Sequence, residues 1–202
     1  MSDISALPLQ PSLWRTCRVL ANRRRLDILA ELLDRSPQDV SQIAEALGLS
    51  EAVASQYLRH LNARGLLRAS RAGRFVSYSA QPDPTLYESV KLLAALRHAL
   101  IKEKDSTDHI FNQVTAFTHW RRIRIVQCLA PGDCSFTDLM RRTSISRAAL
   151  QRHLKKLIGR NYVSFDEKDG LYRLVQATSR LQKTLLRLAL LHKEPPLRKN
   201  AR

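Results

Sequence analysis

The stretch LSEAVASQYLRHLNARGLLRASRAGRF, Leu49 to Phe75, has a second version in ISRAALQRHLKKLIGRNYVSFDEKDGLY, Ile145 to Tyr172, about 96 residues further on from Ser50 to Ser146. The order of serine, apolar helix face, short turn, strand and glycine is the same in both. A chain of 202 residues with an internal repeat of that length is long enough for two domains of about 100 residues. The cores must be built mostly of Leu, Ile, Val and Ala, since only 6% of residues are aromatic while 44% are hydrophobic.

Periodicity sets the local structure of the first copy. Leu13, Cys17, Val19 and Leu20, then Leu26, Ile28, Leu29, Leu32 and Leu33, recur near helical spacing, with Asn22 as N-cap between helices at about 12–21 and 23–34. Val40, Ile43, Ala44 and Leu47 share one face of a short helix that Gly48 ends. Ser50 caps the next helix, 51–64, whose Val53, Tyr57, Leu58 and Leu61 point inward. The period then drops to two in LLRAS and FVSYS, joined across Gly73 as a hairpin. Three helices and a hairpin wing predict a winged helix-turn-helix domain.

The second copy follows the same plan. Ile123, Ile125, Val126 and Leu129 stand where Leu26, Ile28, Leu29 and Leu32 stood; Phe136, Leu139 and Met140 replace Val40, Ile43 and Ala44; Ala149, Leu154 and Leu157 replace Val53, Leu58 and Leu61. Gly170 marks the second hairpin tip, between YVSF and YRLV. Between the copies, Asp83 and Pro84 are expected to open a long amphipathic helix with Leu86, Val90, Leu93, Leu96 and Leu100 on one stripe. The expected fold is mainly α with small β-hairpin wings, two tandem winged helix-turn-helix domains joined by a long helix. Its divisions are a first domain at 12–82, a connecting helix at 83–106, a second domain at 107–177, a C-terminal packing helix at 178–193, and a disordered basic tail at 194–202.

LANRRRLDILAEL, IAEALGLSEAVASQYLRHLNARGLL and RAGRFVSYS together resemble the DNA-binding domain of the ArsR-type (arsenical-resistance repressor) family of bacterial winged-helix regulators. The resemblance covers about residues 12–82 closely and 110–177 more loosely. It implies a regulator of transcription that binds double-stranded DNA, with a recognition helix in the Ser50 to Arg64 segment. Members usually carry one such domain and dimerise through their first and last helices, so a tandem chain implies either a covalent pseudo-dimer or a homodimer through the connecting and terminal helices. The Cys-x-Cys sensor of metal-binding members has no counterpart in SQIAEALG.

A recognition helix reads the major groove through long polar side chains on its exposed face. With the apolar positions buried, the helical period turns Ser55, Gln56 and Arg59 outward beside Ser50, and the hairpin offers Arg71 and Arg74 to phosphates. In the second copy the corresponding candidates are Ser146, Arg147, Gln151, Arg152, Lys155 and Lys156, a more cationic face. The second wing, DEKDGL, is largely acidic, and Arg121, Arg122, Arg124, Arg141, Arg142 and the basic tail are placed to compensate for it.

Charge agrees with a polyanionic partner. The formal net charge is +16, and residues 116–202 hold 19 Lys and Arg against 6 Asp and Glu. A protein-binding or architectural module built on the same fold is the competing expectation, and the salt response of binding separates the two. No glycine-rich phosphate loop, nucleophile elbow or metal-hydrolase spacing is present, so no enzyme and no cofactor is expected. Three cysteines make no disulfide framework, and no apolar run is long enough for a membrane span, so a cytoplasmic protein with no membrane partner is expected. Cys17 lies on an apolar helix face and reads as core, whereas Cys128 and Cys134 are a weak candidate pair for a soft metal or oxidation, and no effector is specified.

Overall fold

Asn22 ends one helix and starts the next, as its position predicts: its side chain accepts from the Arg25 N–H at 3.0 Å. In the computed structural model, which describes residues 12–73 and 75–192, helices α1 (Leu13–Leu20) and α2 (Arg23–Asp34) flank it. Arg74 and the 194–202 tail lie outside the described residues. A two-residue strand β1 (Gln38–Asp39) leads into α3 (Val40–Leu47), whose start is fixed by a reciprocal capping box. Asp39 accepts from the Gln42 N–H, and the Gln42 side chain accepts from the Asp39 N–H, both at 2.9 Å. Gly48 closes α3 in the left-handed region at φ +60, where only glycine avoids a Cβ penalty. Helix α4 (Glu51–Asn62) follows from the Ser50 cap, and the hairpin of β2 (Arg68–Ala72) and β3 (Phe75–Ser79) forms the wing.

The helix after the wing begins later than Asp83 and Pro84 suggested. Asp83 is engaged in a local turn, accepting from the Thr85 N–H and hydroxyl, and α5 runs from Tyr87 to Arg97 before a π-helical turn at His98–Lys102. The second copy then comprises α6 (Thr107–Thr115), α7 (Trp120–Leu129), β4 (Cys134–Ser135), α8 (Phe136–Thr143), α9 (Arg147–Ile158), β5 (Val163–Asp166) and β6 (Leu171–Leu174), followed by α10 (Arg180–Leu191).

Each wing proves to be a three-stranded antiparallel sheet where the sequence suggested two strands, because β1 pairs with β3 and β4 pairs with β6. The added strands tie the wing to the segment just before the first helix of the turn motif. Position by position the copies use different chemistry for one backbone. Ser144 and Asn161 adopt left-handed φ of 53 and 58 where the first copy has Gly48 and Gly65. The helix after each wing is anchored to the turn after the second helix of the motif: the Ser89 hydroxyl donates to the Arg64 carbonyl at 2.8 Å, and Gln182 Nε2 donates to the Asn161 carbonyl at 2.7 Å.

The core is continuous from one copy to the other. Leu13, Cys17 and Leu20 of α1, Leu93 and Leu96 of α5, Ile110 and Val114 of α6, and Leu185 and Leu188 of α10 are all buried in it. Helix α1 packs on α6, α5 packs on α10, and α6 also lies against α2. At the rim, Arg23 pairs with Asp108 and its guanidinium sits 4.6 Å from the Phe111 ring centroid; the ion pair is exposed, so the burial beneath it carries the stabilisation. No helix among the described residues is long and apolar enough to cross a membrane.

Candidate nucleic-acid interface

Burial along α4 divides the helix cleanly. Ala54, Leu58 and Leu61 are buried, Val53 and Tyr57 are only partly covered, and Gln56 and Arg59 are exposed. Ser55 is half-buried, at the margin of the face. Arg59 lies back along its own helix, Nε donating to the Ser55 carbonyl at 3.3 Å, with its remaining guanidinium donors in solvent. The Ser50 hydroxyl accepts from the Val53 N–H at 3.4 Å, so its local task is the cap. Strand β2 is exposed throughout, which presents Arg71 and also Arg68, a residue the sequence reading missed because LLRAS looked half-buried. Leu66 and Leu67 are buried ahead of the strand, and pairing starts only at Arg68.

On α9, Ala149, Leu150, His153, Leu154 and Leu157 face the core, while Gln151, Arg152 and Lys155 are exposed. Ser146 makes no side-chain cap bond, unlike Ser50, and Arg147 sits exposed over the Phe136 ring at 5.6 Å. Lys156 departs from the expected face. Each residue turns about 100° around a helix, which carries position 156 to the flank of the buried stripe, where it is half-buried and lines a cleft toward α1.

Of the arginines expected to compensate for the acidic wing, Arg122 is used internally and Arg142, though exposed, makes a local contact. Arg122 is 8% exposed and donates to the carbonyls of Ala116 and Thr115 at 2.5 and 3.2 Å and to the Thr118 hydroxyl, which commits its Nε and Nη2 to the protein's own acceptors. Arg142 donates to Cys134 Sγ at 3.5 Å. Arg141 is exposed and paired with Asp138 at 2.8 Å. The acidic charge of the second wing is partly offset: Arg173 reaches Asp133 at 2.7 Å, Asp166 at 3.1 Å and also Asp169. Its guanidinium holds the Asp169 carboxyl below the ordinary carboxylate range.

The cysteines divide as their surroundings dictate. Cys17 is fully buried and burial pushes its thiol far above its usual value, leaving it inert core. Cys134 is buried beside Cys128, and burial raises its thiol too. Among the described residues no group of three His, Cys, Asp or Glu side chains is placed to hold a metal ion.

Residues 22–69 and 120–164 each match the family of bacterial regulatory proteins described as the arsR family. The HTH-type transcriptional regulator NmtR of Mycobacterium tuberculosis is 41% identical over 64 residues, 32% of this chain and 52% of that protein, so the chain spans about half the length of this curated relative. The matched segments run from the α2 and α7 N-termini into the first strands of the two wing hairpins, and cover both helix-turn-helix units. The chain thus folds as two winged helix-turn-helix units in tandem, each containing a segment that matches the arsR-family model.

Proposed function

We propose that the protein is a sequence-specific, double-stranded DNA-binding transcriptional regulator in which one chain supplies both halves of a pseudo-dimer. The observation that carries this reading is the pairing of equivalent elements within one chain: α1 against α6 and α5 against α10. Such self-complementary pairing is how two-fold interfaces are built, each element meeting its own counterpart. With α5 and α10 packed on one another, the faces that a homodimer would use are engaged inside a single chain.

Two recognition helices in one body would meet successive major grooves about 34 Å apart. Gln56 suits adenine and Arg59 suits guanine or phosphate, while Arg152 and Lys155 favour phosphate and guanine contacts. Arg71 and Arg68 of the first wing supply backbone contacts with no acidic residue in their strand. Because the α4 and α9 faces differ in residue type, the preferred site is asymmetric. The known regulator NmtR carries a related domain, which supports regulation of transcription as the outcome of binding.

The test is enrichment of genomic fragments by purified protein with excess competitor DNA, followed by footprinting. One asymmetric site protected over about two helical turns supports the proposal. A perfect inverted repeat, or sequence-independent retention, counts against it.

A further inference from the structure

We propose that the cleft where α1 meets α6, α7 and α9 is a binding site for a small aromatic carboxylate. The cleft measures about 740 Å³ and is walled by Trp14, Phe111 and Trp120, with Arg18, Arg122 and Lys156 at its surface. That volume lies within the range of about 300–1,000 Å³ in which small-molecule sites fall. Its lining comes from both copies, since Trp14 and Arg18 belong to α1 and the other four residues to α6, α7 and α9.

Charge argues for an anion. None of Arg18, Arg122 and Lys156 forms an ion pair among the described residues, and no Asp or Glu lines the cleft. Arg122 is nearly buried and its bonds go to uncharged acceptors, the Ala116 and Thr115 carbonyls and the Thr118 hydroxyl. Buried charges are ordinarily paired, and the nearly buried Arg122 has no counter-charge among the described residues, with the half-buried Lys156 and the exposed Arg18 adding positive charge beside it. The strain is visible in the neighbours: burial first, then Arg160 and Arg122, holds the Lys156 ammonium below its usual range. Burial and then Arg122, Arg121, Arg18 and Arg152 likewise push the His119 imidazole down. An entering carboxylate would offset the like-charge part of these shifts, though not the part due to burial.

The aromatic walls select the rest of the ligand. Trp14, Phe111 and Trp120 are each half-buried, and Arg18 lies 5.7 Å from the Trp14 ring centroid. Each ring already carries a guanidinium on one side, Arg15 and Arg18 by Trp14, Arg23 by Phe111 and Arg121 by Trp120, and the remaining ring surface gives a flat apolar body a place to pack, which a bare inorganic anion could not use. A planar ring bearing one carboxylate satisfies both halves of the lining.

The only two tryptophans of the chain, Trp14 and Trp120, both line this cleft, so intrinsic tryptophan fluorescence reports on it directly. The full-length protein is titrated with benzoate and phenylacetate, and in parallel with acetate, inorganic phosphate, neutral phenylacetamide and a short DNA duplex. The expected result is a saturable emission change with the two aryl carboxylates, and binding at least about tenfold weaker for acetate, phosphate and phenylacetamide. Arg18→Gln and Lys156→Gln each weaken phenylacetate about tenfold without changing phenylacetamide. The ligand series on the unaltered chain decides the matter even if a variant misfolds. No saturable response to either aryl carboxylate up to tens of millimolar overturns the proposal. Equal affinity for acetate or phosphate means an adventitious ion only, and a response confined to duplex DNA means a phosphate contact; each overturns it. The binding claim does not rest on the regulatory reading, and the aryl-carboxylate titrations contain no DNA, so either can fail alone.

Discussion

The imidazoles of His119 and His153 lie with ring centroids 4.7 Å apart, one capping α7 and the other on the buried face of α9. His119 Nδ1 accepts from the Arg121 N–H at 3.1 Å, which fixes its ring, while His153 Nε2 is buried with no hydrogen-bond partner among the described residues. Burial, then His119 and the arginines Arg122, Arg121 and Arg152, push the His153 pKa down from 6.5 to about 4. The unfolded chain therefore takes up this proton before the folded one does.

The pH dependence follows from that difference. Between about 6.5 and 4 the unfolded state binds more protons at this site, so stability falls as pH is lowered through the window and is unaffected by this group above it. Urea unfolding midpoints measured at several pH values should show the decline. In His153→Leu the slope across the window should be shallower than in the wild type.

Two glycines separate backbone strain from packing. Gly48 and Gly65 both have positive φ, at 60 and 66. A Cβ at Gly48 meets nothing, so Gly48→Ala should cost about 1 kcal/mol from the left-handed backbone alone. At Gly65 the same atom would lie 2.6 Å from Leu86 Cδ1 and 3.2 Å from Ser89 Oγ. Gly65→Ala should therefore cost more, about 2 kcal/mol or above, by denaturant unfolding.

Arg173 predicts a stabilising role for the second wing's charges. Its guanidinium serves three carboxylates, so Arg173→Ala should lower the denaturant midpoint slightly, by an amount that added salt diminishes. The low Asp169 pKa contributes stability above the ordinary carboxylate range that is lost as pH falls through the folded value. Arg173→Ala should remove that acid-side loss, as read from unfolding midpoints below about pH 4.

The two proposed recognition faces predict distinct failures. Arg59→Ala should cost about 1–3 kcal/mol on the preferred DNA site and relax the choice of base. Lys155→Ala should weaken binding to every sequence alike and reduce the salt slope by about one. Fluorescence anisotropy with specific and scrambled duplexes across a salt series distinguishes these outcomes; unchanged binding in both variants would remove the assignment of the faces.

Much of this architecture was legible because caps and periods are local. Asn22 and Ser50 cap where they stand in the sequence, and the apolar stripes of α2 and α7 are buried as their spacing requires. Strands β1 and β4 were invisible because two residues show no period; they exist through pairing with β3 and β6. Arg122 looked like a surface cation beside Arg121, yet its neighbours Ile123 and Ile125 turn that flank of α7 inward, and backbone carbonyls receive it. The cleft could not be read at all, since Trp14 and Trp120 meet only when α1 of one copy packs beside the helices of the other.

The most direct test of the central claim is the number of chains on one footprinted DNA site, measured by the mass of the saturated complex. A single 23.1 kDa chain on an asymmetric duplex is the predicted result. Two chains on each site, related by an inverted repeat, would contradict the covalent pseudo-dimer.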